Sequence, residues 1–385
     1  MNQPPVNTDI WLLAGQSNMA GSGFREPYET PSDRVWLFNL RDEWQIAEEP
    51  LWGDRYEAVD DAFAIMRSEI PRATPEYRRQ QAVGFREKLV HSQSGAGLGL
   101  TFGKAISTAT GRPVGLLFCA KGDTRMEEWD PEFNGTPYMA LYKATLRRIR
   151  QVNRPLTGVL WYQGESDTFD DKGDCYAERL RRLVAALRRD TGQPDLPFFY
   201  VQIANCFSQP EAELPQWNLV QELQRQLEPE LAPGGLCPAV DLPLGDGIHL
   251  STAGQQRLGR RLAKLVRRQL YDDRYYEIGP RPIAIERHPA DPCLVTVRFA
   301  NVNGRLLPAD RVAGFSLIEP GKNRNLVCCA RVDAANPTAV RLFTIAPPPA
   351  GSQLRYGQGL TCFCNLVDEQ DCAAPVFGPW PLSGG

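Results

Sequence analysis

Runs of apolar residues separated by helical spacing organise the first two-thirds of the chain. Residues 10–14, 35–38, 114–119, 157–162, 196–203 and 239–242 read as short strands. The run at 114–119 is continuously apolar, as expected of a parallel strand covered on both faces. Residues 99–110 carry helical spacing, with Leu100, Phe102, Ala105 and Ile106 as the buried face. Further helices are predicted over 138–152, where Leu141, Ala144, Thr145, Arg148 and Ile149 make a mixed face, and over 177–189, 217–227 and 255–270. Apolar strands alternating with helices predict an α/β fold, a doubly wound parallel sheet. Residues 39–93 lose this pattern; 60–67 read as a short helix, and Pro71 and Pro75 interrupt the chain beyond it. Past Tyr271 the helical spacing stops. Residues 279–282 (Gly-Pro-Arg-Pro) mark a linker, and 294–299, 314–318, 327–332, 339–345 and 353–356 read as strands between Asn, Gly and Pro turns. The expected organisation is a domain over 1–275 and a small antiparallel β-sandwich over 280–385.

Composition narrows the class. The 385 residues are 42% hydrophobic and 23% charged, values of an ordinary globular protein, and suffice for two domains. A net charge of −3 argues against a nucleic-acid or anionic-membrane surface. The arginines of 177–189 are read as solvation, because no aromatic residues interleave with them. No apolar run approaches the ~20 residues that span a bilayer. Residues 1–8 are polar and show no leader, so the expectation is a cytoplasmic protein or an exported one whose leader has been removed. The ten cysteines have no spacing of a zinc site or a compact disulfide framework. Free thiols are expected, with room for one bridge somewhere among the cysteines of residues 293–372, and no metal or other cofactor.

The candidate chemistry lies where strands end. Ser17, in Gly15-Gln16-Ser17-Asn18, follows the first strand, where open α/β sheets place ligands. It is placed to act as a nucleophile or to cap the next helix. The stretch is not a G-x-S-x-G elbow, because Met19 stands at the second glycine position. Asp246 and His249 are three residues apart ahead of the last helix of this part. A carboxylate so placed either orients the imidazole or only starts a turn. Gly122, in Lys121-Gly122-Asp123-Thr124, can aim a backbone N–H at a developing oxyanion, or be a plain loop glycine. Gln163 and Glu165, in Trp161-Tyr162-Gln163-Gly164-Glu165-Ser166-Asp167, bring an amide donor and a carboxylate to the same edge. Gln163 is either an oxyanion donor or a tie between loops. His91 reads as a loop histidine. Trp44, Trp52 and Trp129 suit either a sugar face or the core, and Arg125 either a sugar carboxylate or a surface ion pair.

These four blocks, in this order, resemble the SGNH hydrolase superfamily, and more narrowly its sialate O-acetylesterase and carbohydrate esterase family 6 branch. The likeness covers about residues 8–272. It implies a three-layer α/β/α fold and hydrolysis of acetyl esters on sugars. By position it makes Ser17 the nucleophile, His249 the general base and Asp246 its orienting acid. The Ser17 and Gly122 N–H groups and the Gln163 side chain become the oxyanion hole, and Asn18, Thr124, Arg125 and Trp129 the substrate contacts. Two departures stand out. Asp123 occupies a place where relatives carry a second glycine, and Gln-Gly-Glu replaces the superfamily's Gly-x-Asn-Asp, which makes Glu165 a rival acid for His249. Residues 354–357 and 374–377 resemble the C-terminal β region of sialate O-acetylesterases. The expected function is a serine esterase that removes O-acetyl groups from a carbohydrate, with O-acetylated sialic acid the first substrate. Acetylxylan or another plant polysaccharide is the alternative substrate, and a non-catalytic carbohydrate-binding relative the alternative class.

Overall fold

The structure, a computed structural model, describes residues 3–23, 29–53, 58–63, 95–169, 172–207, 214–359 and 362–382. His91, Pro71, Pro75 and most of the helix expected over 60–67 lie outside the described residues; within them, Asp61–Phe63 form a single 3-10 turn.

The central sheet has seven strands: β1 (Asp9–Gly15), β2 (Val35–Phe38), β3 (Trp44–Ile46), β4 (Val114–Ala120), β5 (Gly158–Tyr162), β6 (Phe198–Gln202) and β7 (Gly234–Pro238), in the order β3-β2-β4-β1-β5-β6-β7. β2 pairs with β4, β4 with β1, β1 with β5 and β5 with β6 in parallel, while β3 folds back antiparallel on β2. The helices are α1 (Ser17–Ala20), α2 (Gly99–Thr110), α3 (Leu141–Val152), α4 (Tyr176–Asp190), α5 (Leu214–Gln226) and α6 (Thr252–Leu270). Successive residues of a strand face opposite sides, and every residue of β1 and β4 is buried. Both faces of the sheet are therefore covered, which is the three-layer α/β/α arrangement. Ile10, Trp11, Leu12 and Leu13 are all 0% exposed, each side chain contributing about 1.5–3 kcal/mol of burial. Trp11 meets Phe102 of α2 edge-on, ring centroids 4.9 Å apart.

Register places the chemistry. Gly15 pairs with both Ala120 and Tyr162, so β1, β4 and β5 end level with one another. The residues leaving those three ends converge. Gly15 is required there: its φ is +136°, and a Cβ would lie 2.1 Å from the Tyr162 carbonyl oxygen. The Gln16 N–H donates to that same oxygen at 2.9 Å, and the chain turns directly into α1.

Several expectations shift. The last strand of the sheet is β7 at Gly234–Pro238, and residues 239–242 instead close a turn, Leu242 N–H to Ala239 O, 3.1 Å. The glycines and prolines around Leu236 and Cys237 disguise a strand whose centre is fully packed. α3 begins at Leu141, preceded by a 3-10 turn at Pro137–Met139, and α6 begins earlier than its apolar pattern, at Thr252. The mixed face of α3 is explained by Arg148, which is 0% exposed. Its guanidinium donates to the Phe38 and Asn39 carbonyls at 3.0 and 2.7 Å and pairs with Asp42. A buried charge is tolerable only with such partners.

Glu49 is a second buried ionisable group. Its carboxylate accepts N–H groups of Leu51 and Gly97 at 3.3 and 3.2 Å, yet burial outweighs them and pushes its pKa up to about 8. An unfolded chain has about 4.3. The fold thus holds an extra proton through that window, and its stability is highest below the window and falls as pH rises towards about 8. Glutamine does not ionise and escapes that loss. Glu49→Gln is expected to gain stability over the wild type between about pH 5 and about pH 8, by roughly 1 kcal/mol per unit. Urea unfolding across that range reads it, and a pH-independent difference would contradict it.

The chain divides into two compact units, Met1–Tyr200 with Leu231–Gly234 and Pro243–Ala263, and Val201–Glu230 with Gly235–Leu242 and Lys264–Gly385. The second unit carries β8 (Arg281–Arg287), β9 (Leu294–Ala300), β10 (Leu306–Leu307), β11 (Phe315–Ile318), β12 (Val327–Val332), β13 (Ala339–Thr344), β14 (Gln353–Tyr356), β15 (Val367–Asp368) and β16 (Phe377–Pro381). They form antiparallel sheets in the orders β12-β13-β9-β8, β11-β14-β16 and β10-β15. Val295, Val297, Leu317, Val340, Leu342, Leu354 and Phe377 are among the residues of their common core. Of the residues expected to form a linker, 279–282, Arg281 and Pro282 are instead the first two residues of β8, paired with Ala300 and Phe299 of β9. Arg281 there grips Glu228 through two bonds of 2.6 and 2.7 Å. All ten cysteines are free thiols. No described helix is long and apolar enough to cross a membrane.

Candidate active site

Ser17 is the first residue of α1, and its hydroxyl does not cap the helix. Its Oγ lies 3.0 Å from Nε2 of His249, whose Nδ1 lies 2.7 Å from Oδ2 of Asp246. The other Asp246 oxygen accepts the N–H groups of Ile248 and His249 at 2.8 and 2.7 Å. Asp246 therefore does both things the spacing suggested: it starts the turn and holds the ring. Burial works to raise its carboxyl, but the His249 ring and the two N–H donors outweigh burial and keep it below the usual carboxylate range. An ionised carboxylate on Nδ1 fixes the tautomer that leaves Nε2 free to accept the serine proton.

Gly122 sits against Ser17: a Cβ built on it would lie 3.5 Å from the Ser17 Cβ. Neither the Ser17 nor the Gly122 N–H has an acceptor among the described residues. Two such donors beside a hydroxyl are what an oxyanion needs. Asp123 has φ +57°, the left-handed region that glycine adopts freely and aspartate tolerates. The loop thus keeps a glycine-like bend without the second glycine.

Gln163 is placed differently from an oxyanion donor. Its side chain is 0% exposed, and its amide donates to the Thr124 carbonyl at 2.9 Å and to Asp167 at 2.5 Å. Both amide protons are committed, so Gln163 ties the loop after β4 to the loop after β5. Asp167 also receives the Met126 N–H at 2.9 Å, and burial pushes its pKa up to about 6. Glu165 is not the partner of the His249 ring. It is buried, its Oε1 accepts the Asn18 amide at 2.8 Å, and burial raises its pKa.

Asn18 is 0% exposed and contacts both neighbours of His249. Its amide donates to the Ile248 carbonyl at 3.3 Å, and its oxygen accepts the Leu250 N–H at 3.0 Å. Gln255 of α6 adds a bond to the Asn18 carbonyl at 3.0 Å. Asn18 therefore fastens the histidine loop to α1, which its place beside Ser17 in sequence did not disclose. Three of the four expected substrate contacts are buried: Asn18, Thr124 (1% exposed) and Trp129 (1%). Thr124 accepts the Trp129 indole N–H at 3.2 Å, and Trp129 packs edge-on against Trp161. Only Arg125 of the four is half-exposed. Trp44 is buried against Phe38, ring centroids 5.2 Å apart, and Trp52 is half-buried. Among the described residues no three His, Cys, Asp or Glu side chains are grouped to hold a metal ion.

Residues 7–268 match the family described as carbohydrate esterase, sialic acid-specific acetylesterase. A protein of Arabidopsis thaliana described as a probable carbohydrate esterase is 28% identical over 284 residues, 69% of this chain and 92% of that protein. The solved structure of an Arabidopsis thaliana protein covers 68% of this chain and 97% of its own, at 27% identity and a TM-score of 0.51. That of a carbohydrate acetylesterase from Xanthomonas citri covers 96% of this chain and 80% of its own, with a TM-score of 0.67 at 21% identity, a likeness of fold. The chain belongs to the sialic acid-specific acetylesterase family of carbohydrate esterases, within the SGNH hydrolases.

Proposed function

We propose that this esterase removes O-acetyl groups from a carbohydrate through an acetyl-enzyme on Ser17, and that the sugar is an O-acetylated sialic acid. The observation that carries the reading is the continuous relay from Ser17 Oγ to His249 at 3.0 Å and on to Asp246 at 2.7 Å. Ser17 attacks the acetyl carbonyl while His249 Nε2 takes its proton. The oxygen that becomes negative is held by the Ser17 and Gly122 N–H groups. His249 then gives the proton to the departing sugar oxygen, and water repeats the sequence to release acetate. Asp246 stays ionised and holds the ring throughout.

The description of the matching family supports the choice of sialic acid. The plant relative favours a second reading, in which the ester sits on acetylxylan or another plant polysaccharide. A complete relay counts against a purely carbohydrate-binding relative, since binding makes no use of a hydroxyl aligned on an imidazole. Acetate release from a panel of acetylated sugars separates these. O-acetylated sialic acid is expected to exceed acetylxylan in kcat/KM by at least ~10-fold, about 1.4 kcal/mol of differential transition-state binding. The reverse order would establish the second reading, and stoichiometric sugar binding without acetate release would establish the third.

A further inference from the structure

Away from the relay, the second unit holds two thiols in contact. Cys362 and Cys364 lie between β14 and β15, and their sulfurs are 3.9 Å apart, Cys364 donating to Cys362. The two differ in surroundings. Cys364 is 3% exposed and packed close: a Cβ on Gly314 would lie 2.8 Å from its sulfur, and one on Gly357 3.3 Å. Cys362 is half-buried and lines a cavity of about 320 Å³ together with Phe363, Gln358, Ser316 and Asn325. Its backbone is held in place, with the Asn205 amide donating to its carbonyl at 2.6 Å.

We infer that Cys362 and Cys364 are a reversible disulfide site, with Cys362 the thiol that reacts with a small hydroperoxide entering the cavity and Cys364 the one that resolves it. The hydrogen bond from Cys364 lowers the Cys362 thiol pKa, while that bond and burial raise Cys364. This asymmetry separates an attacking thiolate from a thiol that waits. The Cys362 thiolate attacks the terminal oxygen of the hydroperoxide, the O–O bond breaks, and a sulfenic acid forms. The alkoxide released takes a proton from solvent and leaves as an alcohol. Cys364 then attacks the sulfenic sulfur, the S–O bond breaks, and the hydroxyl leaves with the Cys364 proton as water. Two thiols are oxidised by two electrons and one peroxide bond is reduced. The sulfurs must close from 3.9 Å to about 2.05 Å.

The test uses the full chain, hydrogen peroxide as probe, and the exposed Cys175 as internal reference. After quenching with iodoacetamide, peptide masses are read. The peptide holding both thiols is expected to lose two hydrogens and escape alkylation about tenfold faster than Cys175 is oxidised, and dithiothreitol should restore it. In Cys364→Ser, Cys362 should stop at a sulfenic acid captured by dimedone; in Cys362→Ser, Cys364 should stay alkylatable. Equal rates for Cys362 and Cys175, or no sulfenic acid at Cys362 in Cys364→Ser, would overturn the inference.

Discussion

Ser17→Ala is expected to lower kcat for p-nitrophenyl acetate by about 10⁴–10⁶-fold, while the protein still folds. The two halves of that outcome have separate causes. The hydroxyl carries the covalent step, and the remaining oxyanion donors cannot replace it. Its contacts in the fold are few: Oγ meets His249 Nε2 and plays no part in capping α1. Loss of one such bond from a half-exposed side chain costs about 1 kcal/mol or less. Far-ultraviolet circular dichroism and urea unfolding should therefore match the wild type. More than a tenth of the wild-type kcat in the variant would exclude Ser17 as nucleophile.

Asp246→Asn should cost about 10⁴-fold in kcat, and Glu165→Gln tenfold or less. Asparagine at 246 still accepts the Ile248 and His249 N–H groups through one oxygen, so the turn survives. It turns an NH₂ towards Nδ1, however, which favours the tautomer whose Nε2 carries the proton and cannot accept one. Glutamine at 165 keeps an oxygen for the Asn18 amide, the bond that Glu165 makes here. Steady-state kinetics of the two variants side by side decides which carboxylate serves His249. Equal and mild losses would reject both assignments.

Much of the first unit is legible in the chain because parallel strands covered on both faces must be apolar at every position, as 114–119 is. Gly15, Ser17, Gly122, Gln163, Asp246 and His249 could each be picked out as residues leaving strand ends or preceding a helix. Their juxtaposition depends on the register that ends β1, β4 and β5 level, and that is a long-range property. β7 is hidden in the sequence because Gly234, Gly235 and Pro238 read locally as breakers, although Leu236 is 0% exposed. Arg148 makes the face of its helix read as mixed, because its partners, Asp42 and the Phe38 and Asn39 carbonyls, come from a distant part of the chain. Trp129 suits a sugar face or the core equally well in sequence, and Thr124 is a substrate contact only by resemblance; their burial and the indole N–H that Trp129 donates to Thr124 emerge only in the folded chain. Gln163 carries the right chemistry for an oxyanion donor, and only its neighbours Thr124 and Asp167 reveal that its protons are spoken for.

Whether the hydroxyl of Ser17 is the nucleophile can be read directly with a fluorophosphonate, which bonds covalently to a serine activated by its own base. Peptide mass mapping should find one phosphonyl group, on Ser17, in step with complete loss of esterase activity, and labelling should slow sharply in His249→Ala. An enzyme that keeps full activity with Ser17 labelled, or loses it while Ser17 stays unmodified, would contradict the account.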